Sequence, residues 1–359
     1  MTMGITSPTS TTGQILKDGS AVISFDANNN ATFAGSISTP STFGFKNRII
    51  NGGMQIWQRG TTYALTNSNA YGSADRWAFL QATTANGIAN QTASGLAGFQ
   101  YVLKLGRNSG ATTTGAVQMT QVLETNNSID LAGQSITLSF WAKAGANYSA
   151  TSSNFGVYIA YGTGTDQSSS TFISGGWTGQ VALVNTTTAI TTTWTKYTFT
   201  ATVGSTATQV GVNLYYSPTG TAGADDNVYI TGVQLEKGST ATSFDYRPYG
   251  TELQLCQRYF NLIDSGAVGV CVSTTAIQLT AAFPVQMRTA PSITATTMRI
   301  TDYYVNDYTS TNPSVSAANT STQGFRINAS NFTGLTTGRA IALLSTGTSA
   351  APIQSSAEL

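Results

Sequence analysis

The chain has 359 residues, 16 Lys and Arg against 15 Asp and Glu, a formal net charge of +1, and only 9% charged residues. No basic stripe is left over for a nucleic acid, and 40% hydrophobic with 10% aromatic residues is too apolar for a disordered chain. The absence of histidine removes Ser-His-Asp and Cys-His catalysis and His-ligated zinc. An average soluble protein is roughly 25% charged, so the reading is a β-rich protein with Ser/Thr/Asn surfaces, whose near-neutral charge favours an obligate oligomer. No apolar run approaches the ~20 residues of a membrane span, so no membrane insertion is expected. The start, MTMGITSP, lacks the basic and apolar regions of a secretion signal.

Residues 1–45 read as strand, Asx-rich turn, strand. Val22, Phe25, Phe33 and Ile37 are too few to form a core in one copy, because an isolated hairpin is marginal in water. Three copies would bury the same stripe, which predicts a homotrimer; the alternative is a disordered leader.

Residues 46–250 read as an antiparallel sandwich. Ile136, Leu138, Phe140 and Ala142 share one face, opposite Thr137, Ser139, Trp141 and Lys143. Phe155, Val157, Ile159 and Tyr161 oppose Tyr158, and Val210, Val212, Leu214 and Tyr216 oppose Gln209, Gly211, Asn213 and Tyr215. Such period-2 runs mark strands with one buried face. The stretch 228–235 changes register around Gly232, which predicts a bulge.

Residues 251–359 begin with a helix over 251–260, carrying Leu253, Leu255, Cys256 and Tyr259. Strands follow at 266–272, 277–283, 293–300, 325–329 and 340–344, with Pro284 and Pro291 bracketing a loop. The polar end, 349–359, is expected to fray or to pack on a neighbouring subunit. Cys256 and Cys271 have no metal or redox spacing and read as two buried free thiols. The predicted fold class is all-β: a short N-terminal segment (1–45), a jelly-roll β-sandwich (46–250), and a short helix leading to a second C-terminal β-sandwich-like domain (251–359).

Sugar recognition uses aromatic faces beside amide and carboxylate groups. Trp141, Tyr158, Asn213 and Tyr215, with Lys143, all fall on the non-core side by alternation, and are candidate glycan contacts or subunit-packing residues. Tyr303, Tyr304 and Tyr308, among Asp302, Asn306 and Asp307, form a second candidate in a polar loop at 301–313; the alternative is a tyrosine-lined trimer contact. Trp57, Trp77 and Trp194 sit in strand-like stretches and read as core or inter-sheet residues, whereas Trp177 lies in a glycine-rich loop. Asp225 and Asp226 are turn residues or ligands of a structural calcium ion; no other cofactor is implied. A glycosidase needs two facing carboxylates about 5 to 9 Å apart, and no motif marks such a pair, so no enzymatic activity is expected.

FKNRIINGGMQIWQRG (45–60), ADRW (74–77), GVQLEKGSTATSFDYRP (232–248) and LQLCQRY (253–259) together closely resemble a module of phage tail fibres and other phage structural proteins. The likeness covers roughly 44–260. Trp194-x-x-Tyr197-x-Phe199 resembles a strand of carbohydrate-binding jelly-rolls, the 1–45 segment resembles the shaft repeats of trimeric fibres, and 283–291 resembles a phrase found after the same helix in related fibre tips. The family motif carries Arg59, Asp75 and Arg76, with an ion pair near a strand end as their expected role. The resemblance implies a virion protein, made in the host cytoplasm, that joins other phage tail or virion proteins through its N-terminus and adsorbs to a host cell-surface glycan. A virion decoration or connector without receptor binding, and a capsule depolymerase, are the alternatives.

Overall fold

The computed structural model describes residues 45–83, 86–302, 306–345 and 353–359 in full, and the backbone of strands 3–6, 14–17, 20–25 and 31–33. Two compact units result, Met1–Phe45 and Lys46–Leu359. In the first, Met3–Thr6, Gln14–Lys17, Ser20–Phe25 and Ala31–Phe33 form an antiparallel sheet in chain order. Its last pair sets Ile23 opposite Phe33, the strand–turn–strand expected from the sequence.

The second unit opens with two six-stranded sheets. One runs in the order Val181–Ala189, Asn154–Gly162, Gln209–Tyr216, Val117–Val122, Ala78–Gln81, Ala70–Tyr71; we call it the first sheet. The second sheet runs Thr195–Thr202, Ser135–Ala144, Asn227–Lys237, Tyr101–Arg107, Gly87–Ala93, Thr62–Ala64. The chain crosses repeatedly between the two, which is jelly-roll connectivity. Alternation decides what lies between them: Leu138, Phe140, Leu103 and Ile230 from one sheet meet Phe155, Val157, Val212 and Leu214 from the other, all fully buried. The Phe140 ring lies 5.9 Å from Phe155, 5.7 Å from Tyr197 and 6.1 Å from Phe199, so truncating it would cost about 3 to 5 kcal/mol. The bulge at Gly232 is present: its φ is 62° and the pairing of Ser135–Ala144 with Asn227–Lys237 shifts between Ser139 and Trp141.

The sandwich is closed where its two end motifs meet. The Asn47 side chain donates to the Val233 carbonyl at 3.0 Å and accepts from the amides of Ile49 and Leu235 at 2.9 and 3.1 Å. Gly52 lies against that same Val233 carbonyl, where a Cβ would clash with the oxygen. Arg247 pairs with Glu252 at 3.1 Å in a buried setting and donates to the Ile49 carbonyl at 3.2 Å. These motif residues are polar and buried because they satisfy backbone groups at a chain crossing.

Helix Tyr249–Gln257 carries Cys256, and both cysteines are free and buried. The seven-stranded antiparallel sheet beyond it runs Asp307–Ser310, Met298–Thr301, Ala340–Leu344, Val268–Cys271, Ile277–Ala282, Gly324–Ala329, Val315–Thr320 over its own core, with Leu279, Ile300, Ile327 and Leu343 in it. Two expectations are corrected here. The stretch 293–300 is two strands, Ser292–Ala295 and Met298–Thr301, which belong to different sheets. From Ile353 on, the polar end is ordered within the chain itself: Ile353–Ser356 is the middle strand between Phe260–Ile263 and Ser292–Ala295, so its backbone groups are paired on both sides.

Candidate functional site

The outer face of the second sheet carries a row of aromatic and cationic side chains. Because Leu103, Leu105, Val228, Ile230 and Ala142 point inward and are buried, their neighbours Lys104, Tyr229 and Lys143 point outward. Register then aligns them: Lys143 pairs with Tyr229, Tyr229 with Lys104, and Lys104 with Asn90. Trp194, at the start of the edge strand Thr195–Thr202, extends the row on the other side. The Lys143 ammonium lies 5.3 Å from the Trp194 ring centroid and 5.0 Å from that of Tyr229, and the Lys104 ammonium lies 6.0 Å from Tyr229. All four side chains are half-buried, a setting in which cation–π attraction exceeds its value in open water.

One register row away, Trp141 pairs with Lys196 on one side and Thr231 on the other. Gly232 makes room for it, since a Cβ there would fall 3.1 Å from Trp141 Cδ1 and 2.7 Å from Phe99 Cζ. Residues 94–100 fold over this side, so that the Trp194 indole donates to the Ser94 carbonyl at 3.2 Å. Phe99 rests on Phe244 and Tyr246 at 5.1 and 5.6 Å. The result is a strip of outer sheet face, bordered on one side by the 94–100 loop, that carries half-buried indole, phenol and ammonium groups.

Asp225 orients the phenol. Its carboxylate accepts from Tyr229 Oη at 2.8 Å, Asn227 Nδ2 at 3.0 Å and the Ala146 amide at 3.1 Å, with Lys104 Nζ 3.9 Å away. Burial alone would raise the Asp225 carboxyl, but the hydrogen bonds from Tyr229, Asn227 and Ala146, with the Lys104 charge, hold it below the usual range. Burial, then the bond to Asp225, pushes the Tyr229 phenol well up, so it stays a donor at neutral pH.

Asp226 points elsewhere. It is fully buried, paired with Arg107 Nε at 2.7 Å, and accepts from the Ser149 amide and hydroxyl at 2.8 and 3.0 Å. Arg107 also donates to the carbonyls of Thr113, Gly220 and Thr219 at 2.8, 2.8 and 3.0 Å. The Arg107 guanidinium is thus enclosed by the Asp226 carboxylate and backbone carbonyls. Among the described residues no three His, Cys, Asp or Glu side chains gather as a metal site.

The remaining sequence candidates do not share this strip. Trp141 belongs to the second sheet, whereas Tyr158, Asn213 and Tyr215 belong to the first, so the single non-core face expected from alternation is two faces with the core between them. Tyr158 packs on Phe172 at 5.4 Å and accepts from Gln180 Nε2 at 3.0 Å. Asn213 is buried, donating to Gln118 at 2.8 Å and accepting from Thr120 at 2.9 Å. Tyr215 lies across Gly156, where a Cβ would strike its ring. Tyr303 and Tyr304 lie outside the described residues. The expected polar loop around Tyr308 is instead a hairpin of Met298–Thr301 and Asp307–Ser310; Tyr308 is half-buried against the second core and donates to Asp302 at 3.3 Å.

Trp77 is fully buried as expected, and Trp177, at 4.7 Å from Phe172, is buried too. Trp194 is the correction: it faces outward over Lys143 rather than into the core. Lys104 and Tyr229 were missed because strand Tyr101–Arg107 lacks a clean alternation, Val102 being as buried as Leu103. The alternation of Val228, Tyr229 and Ile230 carried the signal for Tyr229.

No protein-family model and no curated protein matches the sequence. Among solved structures, the enzymatically active domain of tailspike protein 4 from bacteriophage CBA120 aligns at 17% identity and a TM-score of 0.36, over 54% of this chain and 22% of that one. A family 61 carbohydrate-binding module in complex with β-1,4-galactotriose aligns at 10% identity and 0.32, over 54% and 99%. A family 22 xylan-binding domain from Paenibacillus barcinonensis aligns at 11% and 0.29, over 50% and 94%. At these identities and scores the likeness carries no statement about ligand or activity.

Proposed function

We propose that the chain is a non-enzymatic fibre subunit of a phage virion, which binds a host-surface glycan through the outer face of its second sheet and acts as a homotrimer attached by its N-terminal unit. The observation that supports this most is the outer-face strip of Trp141, Trp194, Tyr229 and Lys143, whose aromatic groups are half-buried rather than consumed by the core. Aromatic side chains offer a sugar a large contact area at small entropic cost. A single sugar-sized site at millimolar strength contributes about 4 kcal/mol, so three sites per fibre and several fibres per particle supply the avidity. The phage assignment itself rests on the resemblance of the end motifs.

The purified full chain on a glycan array tests it. Binding to at least one glycan is expected, with Trp141→Ala reducing it at least about ten-fold, as loss of a buried aromatic contact does, while the melting temperature moves far less than in Phe140→Ala. A melting loss as large as that of Phe140→Ala would make Trp141 a packing residue and remove the strip as a site.

A further inference from the structure

We infer that this strip of the second sheet selects acidic sugars, a carboxylate-bearing glycan bound between Lys143 and Lys104; this rests on the glycan-binding reading above. Among the described residues, Lys143 has no carboxylate or hydrogen-bond acceptor; its contacts are the Trp194 and Tyr229 rings at 5.3 and 5.0 Å. An ammonium carries three donors, and it gains more from an anionic acceptor than from a neutral hydroxyl. The two rings fix the position of the charge without using its N–H groups. Lys104 repeats the arrangement on the far side of Tyr229, and the nearest carboxylate, Asp225, is 3.9 Å from it and already accepts three other hydrogen bonds. Two ammoniums therefore lie on the strip against one carboxylate that is largely satisfied.

The spacing also fits. Lys143 and Lys104 are in register two strands apart, which separates their backbones by roughly 10 Å, the reach of two linked sugar rings. Trp141, in the adjacent row, supplies an apolar platform beside the charges. In a chain with so few charged residues, two outward lysines held by aromatic rings on one strip of sheet make a surface suited to an anion.

The test uses the full-length chain and three acidic polysaccharides, polygalacturonate, alginate and polysialic acid, each in native form and with its carboxyl groups reduced to alcohols. At least one native form should bind about ten-fold or more tightly than its reduced form, the difference expected for one charge-assisted hydrogen bond, and should weaken with added salt. In Lys143→Gln/Lys104→Gln that ratio should fall to about one, whereas Lys143→Arg should retain part of it and Lys237→Gln, an exposed lysine at the strand end, should leave it unchanged. Equal binding of native and reduced forms overturns the acidic selectivity and leaves glycan binding standing. An equal loss in Lys237→Gln would assign the effect to general charge and overturn the site. Failure to bind these probes or any array glycan overturns both readings.

Discussion

Asp75 shows what burial does to a charge in this protein. Its carboxylate accepts from the Gln58 amide at 3.0 Å, with the Arg59 guanidinium 3.7 Å away. Burial nevertheless pushes the carboxyl up from 3.8 to about 6, the Arg59 charge opposing it only in part. A carboxyl raised on folding stabilises the fold when protonated, so its contribution is fully present below the unfolded value and is lost as pH rises through the folded one. Across that window the stability of wild type relative to Asp75→Asn should therefore increase as pH falls, by about 2 to 3 kcal/mol in all, read by urea denaturation at a series of pH values. A difference that grows with rising pH would contradict the assignment. The sequence suggests an ion pair for Arg59, Asp75 and Arg76; it does not suggest Glu358, which pairs with Arg59 at 2.9 Å and also with Arg76. That partner is 282 residues beyond Arg76, and no local pattern connects them.

At the scale of elements, the last seven residues act as a strap. Ile353–Ser356 fills the gap between two strands, and Glu358 then neutralises two arginines whose guanidiniums lie 3.5 Å over Tyr259 (Arg76) and 3.6 Å over Phe260 (Arg59). Leu359 is buried beside Phe172 and Trp177 in a third cluster, and its carbonyl accepts from Tyr71 at 2.8 Å. Removing one member of a buried pair leaves a charge without compensation, at about 3 to 5 kcal/mol. Glu358→Gln should lower stability by that order, while Asp307→Asn, which breaks an exposed pair with Arg299, should cost under about 1 kcal/mol. Chemical denaturation of the two variants side by side is the measurement, and equal costs would mean that the strap carries little.

At the scale of the whole molecule, the sandwich and the C-terminal sheets form one compact unit although each has its own core. The buried Glu358 cluster and helix Tyr249–Gln257 tie those cores together, so residues 46–359 should unfold in one calorimetric transition; two separated transitions for that unit would show that the strap does not couple them. The four short strands of Met1–Phe45 are the part expected to need other copies of the chain. Sedimentation should give a trimer for the full chain and a smaller species once residues 1–45 are removed, and a monodisperse full-length monomer would sink the trimeric fibre.

The sequence alone determined the inward and outward sides of the strands with clean alternation, such as Ser135–Ala144, Asn154–Gly162 and Gln209–Tyr216, because a period of two records one buried face directly in the order of residues. It also determined the free cysteines and the exclusion of histidine chemistry. Tertiary structure alone decided which strands are neighbours. Trp141 and Tyr215 have the same outward parity, yet they sit on opposite outer faces of the sandwich, since alternation distinguishes inside from outside but carries no label for the sheet. For the same reason the row of Trp194, Lys143, Tyr229 and Lys104 could not be read in advance: three residues from three strands, and Trp194 just before a fourth, become neighbours only through the register of separate ladders.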